Sequence, residues 1–282
     1  MVAKQVLFLG LFLVCSQLNA QVWLHDFDQA CLMAQNENKL LLIDFYADWC
    51  EPCKRMDRET WSQDAIKAEM TKVIAVKVNI DDHKSLATRY SIKAIPDVLI
   101  ADAWGGELYE LKGYKSASQM LAILETLPNG TGELNNLLKN LQENSKDAEL
   151  NLLTGKYYQQ LSKDLEGKGQ SVFLRISLNY FVKANKYFGK ANEPVKQEEI
   201  ELLKSYNLVL AGRAKKVVSD FEKSGFDQLH VKNRALAYFI ACSAYVSEND
   251  AVNAKLIYEK ISLEKDSEEY LAELTSMYPD FF

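Results

Sequence analysis

The sequence has no excess of positive charge. Its 282 residues include 33 Lys and Arg against 39 Asp and Glu, a formal net charge of -6 at pH 7. A protein that binds nucleic acid needs a basic surface to neutralise the phosphates. No nucleic-acid partner is therefore expected. The hydrophobic share of 48% and charged share of 26% are typical of a soluble globular protein. The length favours two domains of ordinary size.

No apolar run in the N-terminal region is long enough for a membrane-spanning helix. The run Val6–Cys15 follows Lys4 and precedes polar residues and the small Ala20. A bilayer span needs about 20 apolar residues, whereas this order of residues is typical of a secretory signal peptide. We therefore predict a signal peptide at residues 1–20 and export, which in a bacterium means the periplasm. An uncleaved membrane anchor is the alternative.

The sequence has few histidines and only one Cys-x-x-Cys motif. The three histidines, His25, His83 and His230, are scattered, and Cys50-Glu51-Pro52-Cys53 has no second motif of its kind. A zinc site needs four ligands, so no metal is expected. A purely structural disulfide across so short a loop restricts the unfolded chain little. A redox pair is the strongest of the three interpretations. The remaining mature cysteines, Cys31 and Cys242, are expected to be small core residues.

Strand and helix patterns alternate in the first part of the chain. Helical spacing occurs at Ala30–Asn38 and Ile66–Met70. Apolar runs of strand length, the last of them after the turn Gly105-Gly106, occur at Leu40–Tyr46, Val73–Ile80, Val98–Ala101 and Leu108–Lys112. This alternation favours an α/β sheet.

The strand signal stops at the breaker-rich segment Leu127–Gly132. We predict an α/β domain at residues 21–128, a linker at 129–133 and an all-helical domain at 134–282. The helical domain is predicted because apolar residues recur at helical spacing in Leu134–Leu141, Leu150–Leu161, Val172–Phe188 and Val195–Phe221.

The helical part contains a repeat signal. Large and small residues alternate over Tyr238–Tyr245 and Ala254–Ile261, with Ser247–Asp250 as a turn, and this pattern resembles a tetratricopeptide repeat. The segments Gly155–Tyr158 and Asn179–Phe181 resemble a degenerate copy with a longer loop. Such helix pairs can leave a concave surface for a protein. The alternative is a bundle that only packs on the α/β domain.

The position of the cysteine pair supports redox chemistry. Cys50 follows the predicted strand, and Pro52 suits the first turn of a helix. The Cys50 sulfur should then face free backbone N–H groups and the positive end of the helix dipole, which favour the nucleophilic thiolate. Cys53, one turn later, would be shielded and placed to resolve a mixed disulfide.

Several landmarks resemble the thioredoxin superfamily over roughly residues 24–128. The active-site segment is Leu42–Lys54, and Val76–Asp81, Tyr90–Pro96 and Gly113 follow in thioredoxin order. The segments Tyr46–Cys50 and Met56–Ser62 resemble the C-terminal domain of the membrane reductase DsbD and its secreted relatives more than a minimal thioredoxin. The resemblance implies an α/β thioredoxin-like fold, with a mixed central sheet flanked by helices, and no cofactor beyond the Cys50–Cys53 disulfide.

The resemblance also implies catalytic roles. Asp44 matches the buried carboxylate beneath the active site, which exchanges a proton with Cys53 because burial raises the pKa of such a group. Lys77 matches the lysine that partners this carboxylate. A solvated strand-end aspartate and an ordinary surface lysine are the alternatives.

Four residues are expected to bind substrate. Pro96 matches a cis-proline, which avoids most of the penalty for a cis bond, and the Ile95-Pro96 peptide would offer backbone groups to a client. Gly113 would lie on the same face and let a client backbone approach. Trp49 would flank the nucleophile as part of the docking surface.

Glu51 departs from the usual thioredoxin Gly-Pro pair. A carboxylate beside Cys50 disfavours the thiolate and so favours a reducing enzyme over a strong oxidant. We predict an exported thiol-disulfide oxidoreductase that reduces or isomerises disulfides of protein clients, with an electron-donating thiol reductase, membrane-bound or soluble, as its second partner. The alternative is a scaffold that no longer turns over and acts through its helical domain.

Overall fold

The computed structural model describes residues 23–165, 167–226 and 228–282. The predicted signal peptide at 1–20 lies outside these residues. Within the described ranges, no helix has the length and apolar character needed to cross a membrane.

A mixed sheet of four strands forms the first part of the structure, in the order β2-β1-β3-β4. β1 pairs in parallel with β2 and antiparallel with β3, and β3 pairs antiparallel with β4. The elements in chain order are α1 (Phe27–Glu37), β1 (Leu40–Tyr46), α2 (Glu51–Met56), a π-helical turn (Asp57–Trp61), α3 (Asp64–Glu69), β2 (Val73–Asn79), α4 (Lys84–Arg89), β3 (Asp97–Ala101), β4 (Glu107–Lys112) and α5 (Ala117–Leu124). The predicted strands and the α/β class are confirmed.

The central strand β1 is buried on both faces, which is why it reads as one apolar run. Its side chains alternate between two cores. Leu40 and Leu42 pack with Met56 at the end of α2, whereas Leu41 and Ile43 pack in a separate cluster against α1. Asp44 has the same parity as Leu42, so it lies on the face that α2 covers.

Helices make up the rest of the described chain: α6 (Gly132–Glu143), α7 (Ala148–Leu161), α8 (Gly167–Ala191), α9 (Pro194–Leu210), α10 (Ala214–Ser224), α11 (Val231–Ser247), α12 (Ala251–Ile261) and α13 (Glu268–Met277). The stretch Val195–Phe221, which has helical spacing throughout, is broken into α9 and α10. The break lies at Gly212, whose φ of 72° is in the left-handed region.

Helices that follow one another in this part pack together in pairs, such as α7 with α8 and α11 with α12. α7 and α8 approach closely at Gly155, where an added Cβ would lie 2.6 Å from the ring of Phe181. The predicted turn at Ser247–Asp250 does separate α11 from α12, and Cys242 is buried between them, with its Sγ donating to the carbonyl of Ala254. The assignment of these pairs to the tetratricopeptide repeat stays a prediction.

The helical part packs directly on the sheet part. The Thr131 N–H donates to the Asn38 carbonyl at 2.8 Å, and Leu134 of α6 lies in the same apolar cluster as Leu42. Tyr158 of α7 and Phe173 of α8 belong to this cluster as well. The domain boundaries stay a prediction, because the two parts share one core.

Candidate active site

The cysteine pair lies where β1 gives way to α2. Cys50 and Cys53 form a disulfide, and both residues are nearly buried, at 3% and 4% exposure. Cys50 is the N-cap of α2, and its Sγ accepts a hydrogen bond from the Cys53 N–H at 3.2 Å. Pro52 stands in the first turn, where its missing N–H is not needed. A sulfur in this position is held against the positive end of a helix.

A carboxylate and a lysine lie beneath this helix. The register of β1 and β2 places Asp44 opposite Lys77. The Lys77 Nζ lies 3.3 Å from the Asp44 Oδ2 and also contacts the Asp57 carboxylate closely. Asp44 is buried, whereas the Asp57 side chain is partly exposed. The lysine therefore bridges a buried carboxylate and one that reaches solvent.

Burial dominates the electrostatics of Asp44. It raises the pKa of this carboxyl to about 6, against the opposing effect of Lys77, while Asp57 raises it further. Burial alone would lower the pKa of Lys77, but Asp44 and Asp57 together raise it. A carboxyl with a pKa near the working pH can both take and give a proton. Asp44 is suited to proton exchange, and Lys77 stays charged beside it.

The loops that face the cysteines come from β3 and β4. The Ile95–Pro96 peptide bond is cis, as predicted, and Ile95 packs on Cys50 and Cys53. The Gly113 N–H donates to the Pro96 carbonyl at 2.8 Å. Gly113 has a φ of 74° and nothing within 4 Å of an added Cβ, so its glycine is needed for the backbone conformation and leaves the surface open. The two loops join into one candidate docking edge.

Trp49 stands out from the surface beside the pair. It is 66% exposed, and its Nε1 donates to the Asp81 Oδ2 at 2.8 Å, which fixes the indole ring. Glu51 is exposed and forms an ion pair with Arg58 at 3.3 Å. The structure thus brings together all the predicted site residues at one edge of the sheet, although their individual roles stay predictions.

Two supporting residues were not predicted from the sequence, and both belong to the π-helical turn. Asp57 contacts Lys77, and the fully buried Thr60 donates through its Oγ1 to the Lys115 carbonyl at 2.6 Å. Asp57 follows Cys53 at helical i,i+4 spacing, and this signal could have identified it. The Thr60 contact joins segments 55 residues apart, so local sequence carries no sign of it.

Comparisons with known proteins agree with this geometry. A sequence model of the thioredoxin family matches residues 20–126. A thioredoxin of Chlamydia caviae is 35% identical over 85 residues, which cover 30% of this chain and 79% of that protein. The thiol:disulfide interchange protein DsbD of Photorhabdus laumondii is 28% identical over 103 residues, which cover 34% of this chain and 18% of that protein.

Solved structures with a similar fold include a thioredoxin from Thermus thermophilus, with a TM-score of 0.35 and 19% identity over 37% of this chain and 85% of the other. The DsbH oxidoreductase matches with a TM-score of 0.33 and 17% identity over 42% of this chain and 96% of the other. The matched segment thus spans most of these small proteins but only 18% of the first DsbD relative.

Fold and site together define a thioredoxin-like domain with a disulfide-bonded cysteine pair at the start of α2. The chain belongs to the thioredoxin family. The predicted superfamily, the likeness to DsbD and the fold class are confirmed.

Proposed function

We propose that the protein reduces or isomerises disulfides of protein clients, with the Cys50–Cys53 pair as its redox centre. The observation that carries the proposal is the nearly buried pair at the start of α2, above a carboxyl whose pKa is about 6. The Cys50 thiolate attacks one sulfur of a client disulfide, and the other client sulfur leaves as a thiolate. Cys53 then attacks the Cys50 sulfur and releases the client.

The proton of Cys53 goes to Asp44, and two electrons pass from the pair to the client. For isomerisation a different client thiolate attacks the client sulfur of the mixed disulfide, which forms a new client disulfide and releases Cys50 as a thiolate. Ile95, Pro96 and Gly113 support the client backbone, and Trp49 flanks it. After each reduction the oxidised pair needs a thiol reductase as electron donor.

Glu51 supports a reducing direction. Its carboxylate lies beside Cys50 and disfavours the thiolate, which stabilises the disulfide relative to the reduced pair. Arg58 offsets part of this charge, since the two side chains form an exposed ion pair. The effect on the reduction potential is therefore modest. Export would place this chemistry where clients carry disulfides, and the relatives named thiol:disulfide interchange protein fit such a role.

Reduction of insulin by dithiothreitol tests the proposal. We expect the wild-type protein to accelerate the appearance of insulin turbidity and a Cys50→Ser variant to fall to the rate of dithiothreitol alone, because the nucleophile is gone. Equal rates for the two proteins would contradict the proposal. A Cys53→Ser variant should instead accumulate a mixed disulfide with insulin on a non-reducing gel. The reduction potential, measured against glutathione, tests the direction separately.

A further inference from the structure

A groove of about 410 Å³ lies in the helical part. It is lined by α7, α9, α11 and α13, which neighbour one another in that order, and by Glu133 of α6. None of its lining residues belongs to the sheet part. The groove is therefore a feature of the helical part alone and takes no part in the chemistry of Cys50 and Cys53.

Aromatic rings contribute to its wall: Tyr157 and Tyr270 are partly exposed, whereas Tyr206 and Phe239 are each only 2% exposed and support them from the core. Phe239 lies between Tyr206 and Tyr270, with ring centroids 5.1 Å and 5.3 Å away, and Tyr157 adds a fourth ring. Leu153 at the groove is 41% exposed. Tyrosine faces attract cations as well as apolar groups, and a surface rich in such rings is typical of a binding site.

The charges in the groove are unbalanced. The Lys156 Nζ lies 2.5 Å from the Glu199 carboxylate, and the Lys163 Nζ contacts Glu273. Both cations of the groove are thus neutralised internally. Glu133 and Glu269 also line the groove, and neither forms an ion pair with any residue that the structure describes. The net charge presented to an incoming ligand is negative.

We propose that this groove binds an extended polypeptide segment in which Lys or Arg side chains alternate with apolar or aromatic ones. The apolar side chains pack on the exposed parts of Leu153, Tyr157 and Tyr270. The cations meet Glu133 and Glu269, whose charges are not otherwise balanced, and the tyrosine faces. An acidic segment would meet two uncompensated carboxylates and be repelled. This binding activity goes beyond the proposed redox function and does not depend on it.

Fluorescence anisotropy with the full chain tests the proposal. The probes are two fluorescein-labelled nonapeptides without cysteine, one alternating lysine with leucine and tyrosine, the other carrying glutamate in place of each lysine. The lysine peptide should bind at least about tenfold more tightly than the glutamate peptide, and its affinity should fall as salt rises. Affinities within twofold of each other would overturn the proposal.

Paired substitutions locate the site. Glu133→Gln with Glu269→Gln should weaken binding of the lysine peptide about tenfold. The matched control, Glu248→Gln with Glu259→Gln, removes the same charge from exposed positions outside the groove and should leave the affinity within twofold of wild type. Equal weakening by both pairs would reveal non-specific attraction to an acidic protein and overturn the groove as the site.

A Cys50→Ser, Cys53→Ser double variant separates this proposal from the redox function. It should bind the lysine peptide as tightly as wild type, although it cannot reduce insulin. Loss of binding in this variant would overturn the independence of the groove from the disulfide, whereas loss of insulin reduction alone concerns only the proposed redox function. Circular dichroism of every variant confirms that a lost affinity is not a lost fold.

Discussion

The sheet part and the helical part bury different kinds of polar side chain. Among the described residues, all the buried carboxylates lie in the sheet part, namely Asp44, Asp97 and Asp102. The helical part buries amides and hydroxyls instead, and its buried amides from α7 onward are Asn151, Gln159, Asn207 and Asn233. The sheet part thus buries carboxyl groups in its core, and the described residues of the helical part bury none.

The buried amides link helices by hydrogen bonds, and they stay neutral at every pH. The Gln159 Nε2 donates to the Leu203 carbonyl at 2.8 Å and to the Asn207 Oδ1 at 2.7 Å, which ties α7 to α9. The carboxylates behave differently, because burial raises the pKa of Asp44 to about 6 and that of Asp97 to about 7. A core carboxylate destabilises the fold when it ionises. A buried carboxylate that is kept despite this cost indicates a functional role, and at Asp44 the proposed role is proton transfer.

Exchanging the two kinds of group gives the largest expected effect. Asn207→Asp places a carboxylate where the amide now donates to the Leu174 carbonyl and the Ser177 Oγ. We expect a loss of about 3–5 kcal/mol in the free energy of unfolding at pH 7.5, because the new charge is buried and unpaired. The loss should shrink at pH 4.5, since a buried carboxyl binds its proton more readily.

Urea denaturation at both pH values measures this change. The control is Asn140→Asp, which introduces the same charge at an exposed position of α6 and should alter the free energy of unfolding by less than about 0.5 kcal/mol. A pH-independent loss at position 207 would mean that the missing hydrogen bonds, and not the charge, account for it.

The reverse exchange, Asp44→Asn, should have the next largest effect. The folded pKa of about 6 lies above the ordinary value of 3.8, so the wild type loses stability as pH rises between these values. Relative to wild type, the variant should gain up to about 3 kcal/mol in free energy of unfolding between pH 4 and pH 7. Its insulin reduction should fall at least about tenfold, since Cys53 loses its proton acceptor.

The matched control is Asp64→Asn, whose side chain is fully exposed. It should change neither the pH dependence of unfolding nor the rate of insulin reduction. If Asp44→Asn kept full activity while showing the expected gain in stability, Asp44 would be a buried carboxyl without a catalytic role, and the contrast between the two parts would lose its functional meaning.

The sequence predicts those features of the fold and the site that depend on neighbouring residues or on ordered motifs. The bounds of β1, the cis Ile95-Pro96 bond and the pairing of Asp44 with Lys77 follow from strand patterning and from ordered landmarks. The contact of Trp49 with Asp81 does not, because it depends on how distant segments pack. Gly212 was missed as a break because the apolar spacing continues across it.

The smallest expected effect concerns the π-helical turn, which belongs to the sheet part. Thr60→Val keeps the shape of the buried side chain but leaves the Lys115 carbonyl without its donor, at a cost of about 1–2 kcal/mol in free energy of unfolding. Because Lys115 follows Gly113, we expect a higher KM for insulin with kcat little changed.

Thr60→Ser should restore the wild-type KM, since it keeps the hydroxyl group. Thr71→Val, which removes a hydroxyl that donates to the nearby Ala68 carbonyl, should leave KM and kcat unchanged. A drop in kcat at constant KM for Thr60→Val would show that the turn acts on the chemical step and not on the docking edge.

The shared core of the two parts has a consequence during synthesis. The sheet strands are complete at residue 112, yet their apolar cluster includes Tyr158 and Phe173. A ribosome adds about 5–20 residues per second, so several seconds pass before these rings are made. During that interval the apolar face of the sheet that these rings cover stays open. Any factor that shields newly made protein has its natural target there.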